Sequence, residues 1–173
     1  VGSEMCIRDR RTHIVKIMSM LLCIPVVLTL LVAIIRPIRE NMVRDSFAEQ
    51  LYNYKLPENT TIVEKYGLCG NLVGKSNDKD FLAVILLKTE LSEAAIKSYY
   101  FKARFQGANK ESNGPVIEIF KPKGAKLVSH YLEYEEIYFK TLESEESMDG
   151  YMVIVISDGG YENGLDIICL LYT

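Results

Sequence analysis

Several short patterns in this chain have residue types that could do chemistry. Gly70-Asn71-Leu72-Val73-Gly74-Lys75-Ser76 resembles a phosphate-cradling loop. Such a loop places four residues between its glycines, so that successive backbone N–H groups converge on the anion, and it opens a helix whose N-terminus adds to the field. Here three residues separate the glycines, and Asn77-Asp78-Lys79-Asp80 and a strand-like run follow. The segment reads as a hairpin turn. His130 could serve as a general base, which needs an orienting partner and a reacting group in reach. Carboxylates lie near it in sequence, but no nucleophile stands at a matching spacing, so a surface or partly buried histidine is expected. Cys69 beside Gly70 reads as a thiol at a turn. An activated thiolate would need a helix N-terminus or a neighbouring cation, and Lys65 is a weak candidate for that role. The acidic residues Glu133, Glu135, Glu136, Glu143, Glu145, Glu146 and Asp149 could form a cation site or meet a basic partner; a solvated face is the simpler expectation. Tyr99, Tyr100, Tyr131, Tyr134, Tyr138, Tyr151 and Tyr161 could line a groove for a glycan or peptide, because tyrosine offers large area and a polar tip; half-buried core is their commoner use. Asn59-Thr60-Thr61 matches a glycosylation sequon, which matters only in a eukaryotic secretory chain. On these grounds no catalytic, cofactor-binding or metal-ligating residue is assigned, and no cofactor is expected.

The two ends of the chain bear on this count. Val1-Gly2-Ser3-Glu4-Met5-Cys6-Ile7-Arg8-Asp9-Arg10 resembles the translation of a transposase-type sequencing adaptor, and Cys169-Leu170-Leu171-Tyr172-Thr173 resembles the same adaptor read in the opposite orientation. Native sequence is therefore expected from about Arg11 or Thr12 to Ile168, with both native termini missing. Without Cys6 and Cys169 only Cys23 and Cys69 remain, too few for a disulfide framework, and Cys69 with His130 makes no zinc site without carboxylate help. The formal net charge of −3 and the acidic run disfavour nucleic acid, whose phosphates want a basic stripe.

The elements that must position these residues begin with the uncharged run Ile17–Ile35. As a helix it would span about 28 Å, close to the hydrocarbon thickness of a bilayer. Lys16 and Arg36 bracket it and can snorkel to the headgroups. A transmembrane helix is expected over 14–36, with the lipid bilayer as its partner. It is longer than a typical signal core, no small-x-small cleavage site follows Ala33, and Leu22 before Cys23 spoils a lipoprotein signal. An uncleaved anchor is the reading adopted. Arg11 and Lys16 precede the span, and Arg36, Arg39 and Arg44 follow it, which taken literally puts the domain in the cytoplasm by one residue. Lysine-rich residues lost upstream would reverse that balance, and an extracytoplasmic domain is the expectation.

Pro37 suits a first helical turn, and Ile38, Met42, Val43, Phe47, Leu51 and Tyr54 recur at helical spacing. An amphipathic juxtamembrane helix is expected over 37–55, its stripe packed on its own domain, on the bilayer or on a partner helix. Leu56-Pro57-Glu58-Asn59 breaks it, and a globular domain is expected over 56–168. Strands are expected at Thr60–Leu68, at Phe81–Leu87 (apolar throughout, hence covered on both faces), at Val116–Phe120 and at Tyr151–Ser157. A helix starts at Ser92, a plausible N-cap with Leu91 and Ile96 as a hydrophobic staple, presents Ile96, Tyr99, Tyr100 and Ala103, and stops at Gly107. Leu127–Leu142 fits a helix or strands, with a strand preferred for Ile137–Thr141. Asp158–Gly164 reads as a loop, and Leu165–Ile168 starts a last strand. The fold class is α+β: a transmembrane helix, then a small, mainly antiparallel sheet packed on one helix.

The stretch Leu56–Glu64, then Cys69-Gly70-Asn71, then Leu86–Ser92, resembles small single-pass membrane-anchored proteins of unknown function from Gram-positive bacteria. The resemblance covers the first half of the domain. It implies a bacterial cell-envelope protein with an external domain and supplies no activity. The expected function is a binding or interaction module at the envelope, meeting a protein or glycan. The alternatives are an envelope enzyme or accessory subunit using Cys69, His130 or the acidic run, and a small subunit whose anchor is itself the functional part.

Overall fold

The structure, a computed structural model, describes residues 2–73, 79–108 and 114–161, without the side chains of 2–15, 17, 160 and 161. Gly74–Asp78 of the expected turn, residues 162–164 of the expected loop, the expected strand Leu165–Ile168 and the adaptor-like Cys169–Thr173 lie outside the described residues. The chain divides into two units, Val1–Glu40 and Asn41–Thr173.

Helix α1 (Gly2–Tyr52) runs through both without a break, with Pro25 and Pro37 inside it. Pro37 therefore does not start a second helix, and the separate helix expected over 37–55 does not occur as an element. Each proline removes one N–H from the helical ladder. Across Pro37 the Arg36 guanidinium pairs with Glu40, one turn on, at 3.2 Å. The Thr29 hydroxyl donates to the Pro25 carbonyl, and that of Ser19 to the Lys16 carbonyl at 2.9 Å, so these polar groups are satisfied within the helix. From Met18 the helix is long and apolar enough to cross a membrane. Its large apolar side chains stand exposed: Leu22 is 73% and Met20 70% accessible.

The second unit is α+β. It holds residues 41–52 of α1, then β1 (Thr60–Gly70), β2 (Lys79–Thr89), α2 (Glu93–Tyr100), β3 (Val116–Phe120), α3 (Lys140–Glu143) and β4 (Tyr151–Tyr161). The sheet is antiparallel throughout, in the order β1-β2-β4-β3. β2 and β3 thus run parallel, joined across α2, with β4 inserted between them. β2 is buried on both faces, as its apolar run requires.

One face of the sheet carries Phe81, Ala83, Ile85, Leu87, Met152, Ile154 and Ile156, covered by Phe47, Ala48 and Leu51 of α1 and by Ile96 and Tyr100 of α2. Val43 and Tyr54 of the helical stripe join this core, whereas Ile38 and Met42 are exposed. Gly67 of β1 lets the helix approach closely: a Cβ there would meet Tyr52 Oη at 3.2 Å and Ala48 Cβ at 3.4 Å. The opposite face carries Leu82, Val84, Leu86, Tyr151, Val153 and Val155 under Leu127, Ile137, Phe139 and Leu142.

That second cover corrects the expectation for Leu127–Leu142. It is neither a long helix nor a strand: one isolated bridge joins Lys126 and Tyr138, and α3 begins where the strand was expected to continue. The segment pairs part of its backbone with itself, Leu127 N donating to Ile137 O at 2.9 Å and Phe139 N to Ala125 O at 2.8 Å, and part with its surroundings, Glu133 N donating to Leu72 O at 2.9 Å. It lies across the face of the sheet, so its apolar residues bury without a ladder. Two boundaries also move. α2 ends at Tyr100, not Gly107, closed by Phe101 N donating to Lys97 O at 2.9 Å. β4 runs on to Tyr161, so Asp158–Tyr161 is strand, not loop. Gly159 there serves close approach: a Cβ would stand 2.8 Å from Asp80 Oδ1.

Candidate functional site

The residues singled out for chemistry do not converge. Cys69, near the end of β1, is half-buried and packs with the cluster on the helix-covered face. His130 is exposed, its ring edge-on to Tyr131, which packs with the cluster on the other face. The sheet separates the two. Among the described residues no group of His, Cys, Asp and Glu has the arrangement to hold a metal ion. The amides of Leu72 and Val73, in the phosphate-loop-like stretch, donate to Asp80 Oδ2 at 3.0 and 3.1 Å. An internal carboxylate takes the place a phosphate would need. β1 and β2 pair antiparallel across this connection, as a hairpin does.

The acidic residues are exposed, and several do structural work. Glu136 accepts from Lys126 Nζ and from Tyr138 Oη, and Glu145 accepts from Tyr151 Oη at 2.9 Å. The Lys126 pair and the Tyr138 hydrogen bond hold the Glu136 carboxyl below the usual carboxylate range. The tyrosines disperse. Tyr99 and Tyr100 form an aromatic cluster with Tyr54, Tyr151 is buried, and Tyr134 and Tyr138 stand exposed.

A different polar node ties the second cover to the sheet. The β-bulge at Ile62/Glu64 shifts the phase of β1. Ile62 packs with the helix-covered face, while Glu64 reaches the amides of Lys140 and Thr141 at 3.1 and 2.6 Å, at the start of α3. Tyr66 Oη donates to Glu64 Oε2 at 2.6 Å. Partial burial acts to raise the Glu64 pKa, but the hydrogen bonds from Tyr66, Thr141 and Lys140 outweigh it and hold the carboxyl low. Burial first, and Glu64 second, push the Tyr66 phenol up to about 12. This node is structural.

The surface feature built for contact lies at β3. Among the described residues β3 is an edge strand with no partner on its outer side. In an antiparallel ladder alternate residues direct their N–H and C=O groups away from the partner, so this edge can accept another strand. A groove of about 470 Å³ runs beside Ile117 and Ile119, lined also by Lys97, Phe101, Arg104 and Phe105. A second, of about 240 Å³, lies on the other face beside Phe120, with Lys121, Lys123, Lys126, Leu127 and Val128. Phe101, beside the first groove, is 86% exposed, and Val128, beside the second, 70%.

None of these residues was singled out by sequence reasoning. The available signal was the apolar-basic alternation Phe101-Lys102-Ala103-Arg104-Phe105 and the Lys121-Pro122-Lys123 that closes β3, since lysine and proline commonly mark sheet edges. A third cavity, at the start of β3, is lined by Gly114 and Val116 together with Asp80, Ser157 and Asp158. Comparison of the chain with protein-family models, with curated proteins and with solved structures finds no match.

Proposed function

We propose that this protein is a binding module held at the bacterial cell envelope by its N-terminal helix, with the globular unit outside the membrane and an envelope protein or glycan as its partner. The observation that carries the reading is the concentration of exposed apolar and cationic side chains along the β3 edge, Phe101, Arg104, Lys121, Lys123 and Val128. A second observation supports the anchor: the apolar side chains of α1 between Met18 and Ile35 have almost no protein cover, and a bilayer would remove them from water. Separation of Cys69 from His130 by the sheet counts against the enzyme reading that would join them.

The test is topological. Alkaline phosphatase, active only outside the cytoplasm, and green fluorescent protein, fluorescent only inside, are fused after Thr173 of the full chain in a Gram-positive host. Phosphatase activity without fluorescence, in a membrane fraction that resists carbonate extraction, is the expected result. Fluorescence without phosphatase activity places the domain in the cytoplasm and overturns the envelope reading.

A further inference from the structure

We propose that the β3 edge is a docking site for an extended acidic peptide segment of a partner protein, which adds to the sheet as a fifth strand. The inference rests on the binding-module reading and specifies its partner chemistry.

Three features of this edge select that occupant. The first is the outer backbone edge of Val116–Phe120, which pairs with no strand among the described residues and can take up another extended chain. The second is the pair of grooves on opposite faces of the same strand. Successive side chains of an added strand point to opposite faces, so one set would enter the groove of Phe101, Phe105, Ile117 and Ile119, and the alternate set the groove of Phe120, Leu127 and Val128. The third is charge. Lys97 and Arg104 line one groove, Lys121, Lys123 and Lys126 line the other, and neither lining contains an acidic residue.

Part of that charge is already compensated. Lys97 pairs with Glu93 at 2.6 Å, and Lys126 pairs with Glu136. Glu118 of β3 accepts from Ser129 Oγ at 2.6 Å. Arg104, Lys121 and Lys123 make no ion pair among the described residues and are exposed. Lys121 lies close enough to Glu93 to help hold that carboxyl low, after Lys97, which leaves Arg104 and Lys123 as the less compensated cations, in a chain whose formal net charge is −3. A local cationic rim on an acidic protein steers acidic segments towards it. A second copy docking by β3 against β3 would bring the same cations together, and like charges facing across a sheet are destabilising.

The experiment uses the full chain in detergent micelles and three labelled peptides, read by fluorescence anisotropy at low and physiological salt. The first alternates valine and glutamate, the second alternates valine and lysine, and the third repeats the first with N-methyl groups on alternate amides. The expected result is saturable binding of the first peptide, weakened by salt, at least ten-fold weaker for the lysine peptide and for the N-methylated one. The charge-reversal variant Arg104→Glu/Lys121→Glu/Lys123→Glu should weaken the first peptide at least ten-fold with an unchanged circular dichroism spectrum. Should that variant not fold, Phe101→Ser must weaken the same peptide several-fold. Equal binding of all three peptides, an unchanged affinity in a folded variant, or no binding of the first peptide overturns the proposal. So does concentration-dependent dimerisation that the charge reversal abolishes, which makes a second copy the occupant. Because binding in micelles is independent of orientation, failure here with phosphatase activity in the topological test removes the docking edge alone, and success here with fluorescence removes the envelope reading alone.

Discussion

Two side chains of the globular unit make opposite use of a hydroxyl. Tyr100 is fully buried, its ring 5.5 Å from Tyr54 and 5.4 Å from Tyr99, yet its Oη has no hydrogen-bond partner among the described residues. Burial, with Tyr99 and Tyr54 adding to it, pushes its pKa above the usual tyrosine value, so the phenol stays neutral and its oxygen is simply desolvated. Tyr100→Phe keeps the ring contacts and removes the orphan group. It should raise stability by about 1 kcal/mol, a melting-temperature gain of roughly 4 °C for a domain of this size. A fall in melting temperature would show that the hydroxyl is satisfied in solution. Glu64 is the contrasting case, since its carboxylate receives Tyr66 Oη and two backbone amides. Its folded pKa is lowered from 4.5, so its contribution is present above that value and is lost as pH falls through the lower folded pKa. Glu64→Gln should cost about 1 kcal/mol at neutral pH. The gap between variant and wild type should hold from pH 7 to about 5 and close at lower pH. A gap that persists unchanged at pH 3 would mean that the charge contributes nothing.

At the scale of elements, the last turns of α1 behave as part of the domain core. Leu51 is fully buried and Phe47 stands 6.3 Å from Phe81, ring to ring. The Gln50 side chain bonds both ways to the backbone of Gln106, at 3.1 and 2.7 Å. Leu51→Ala in the full chain should therefore cost about 2–5 kcal/mol by chemical denaturation in detergent, while Met42→Ala, at an exposed site one helix face away, should change stability by less than about 0.5 kcal/mol. Equal effects of the two would detach these turns from the core. Elements with strong local signals were legible in the chain. Ser92 caps α2 with its hydroxyl accepting from Ala95 N at 3.3 Å, Val116–Phe120 forms β3 with the expected bounds, and the apolar run of β2 sits between two covers. Elements whose form depends on distant partners were not. Pro37 is as compatible with a helix start as with a tolerated interior position, and only the continuous ladder on both sides decides. Gly159 looks like a turn residue but serves close approach to Asp80. Ile137 and Phe139 have strand-like alternation, but among the described residues the segment's one ladder contact is the isolated Lys126–Tyr138 bridge, and Ile137 and Phe139 pack on the face of the sheet. The β3 edge stayed hidden for the same reason: strand order is a property of the sheet, and no local pattern states that β4 inserts between β2 and β3.

At the scale of the whole molecule, α1 joins two solvents' worth of requirements in one helix: exposed apolar residues in its middle and core residues at its end. Ile17–Ile35 contains twelve isoleucine, leucine and valine residues, which on an insertion scale contribute about −4 to −7 kcal/mol in total. Val26 sits at the centre of this run and is 55% exposed; Leu30, one turn on, is 58% exposed. One arginine near the centre costs roughly 3 kcal/mol and two cost about twice that. Val26→Arg should thus weaken but retain membrane association, because the remaining apolar residues still outweigh a single charge. Val26→Arg/Leu30→Arg should bring the balance to about zero and release the protein from the carbonate-resistant pellet into the supernatant. Neither substitution touches a residue of the two cores, so the released double variant should retain the circular dichroism of the globular unit and its affinity for the acidic peptide. Retention of the double variant in the pellet, at wild-type levels, would mean that something other than a spanning helix holds the protein at the membrane.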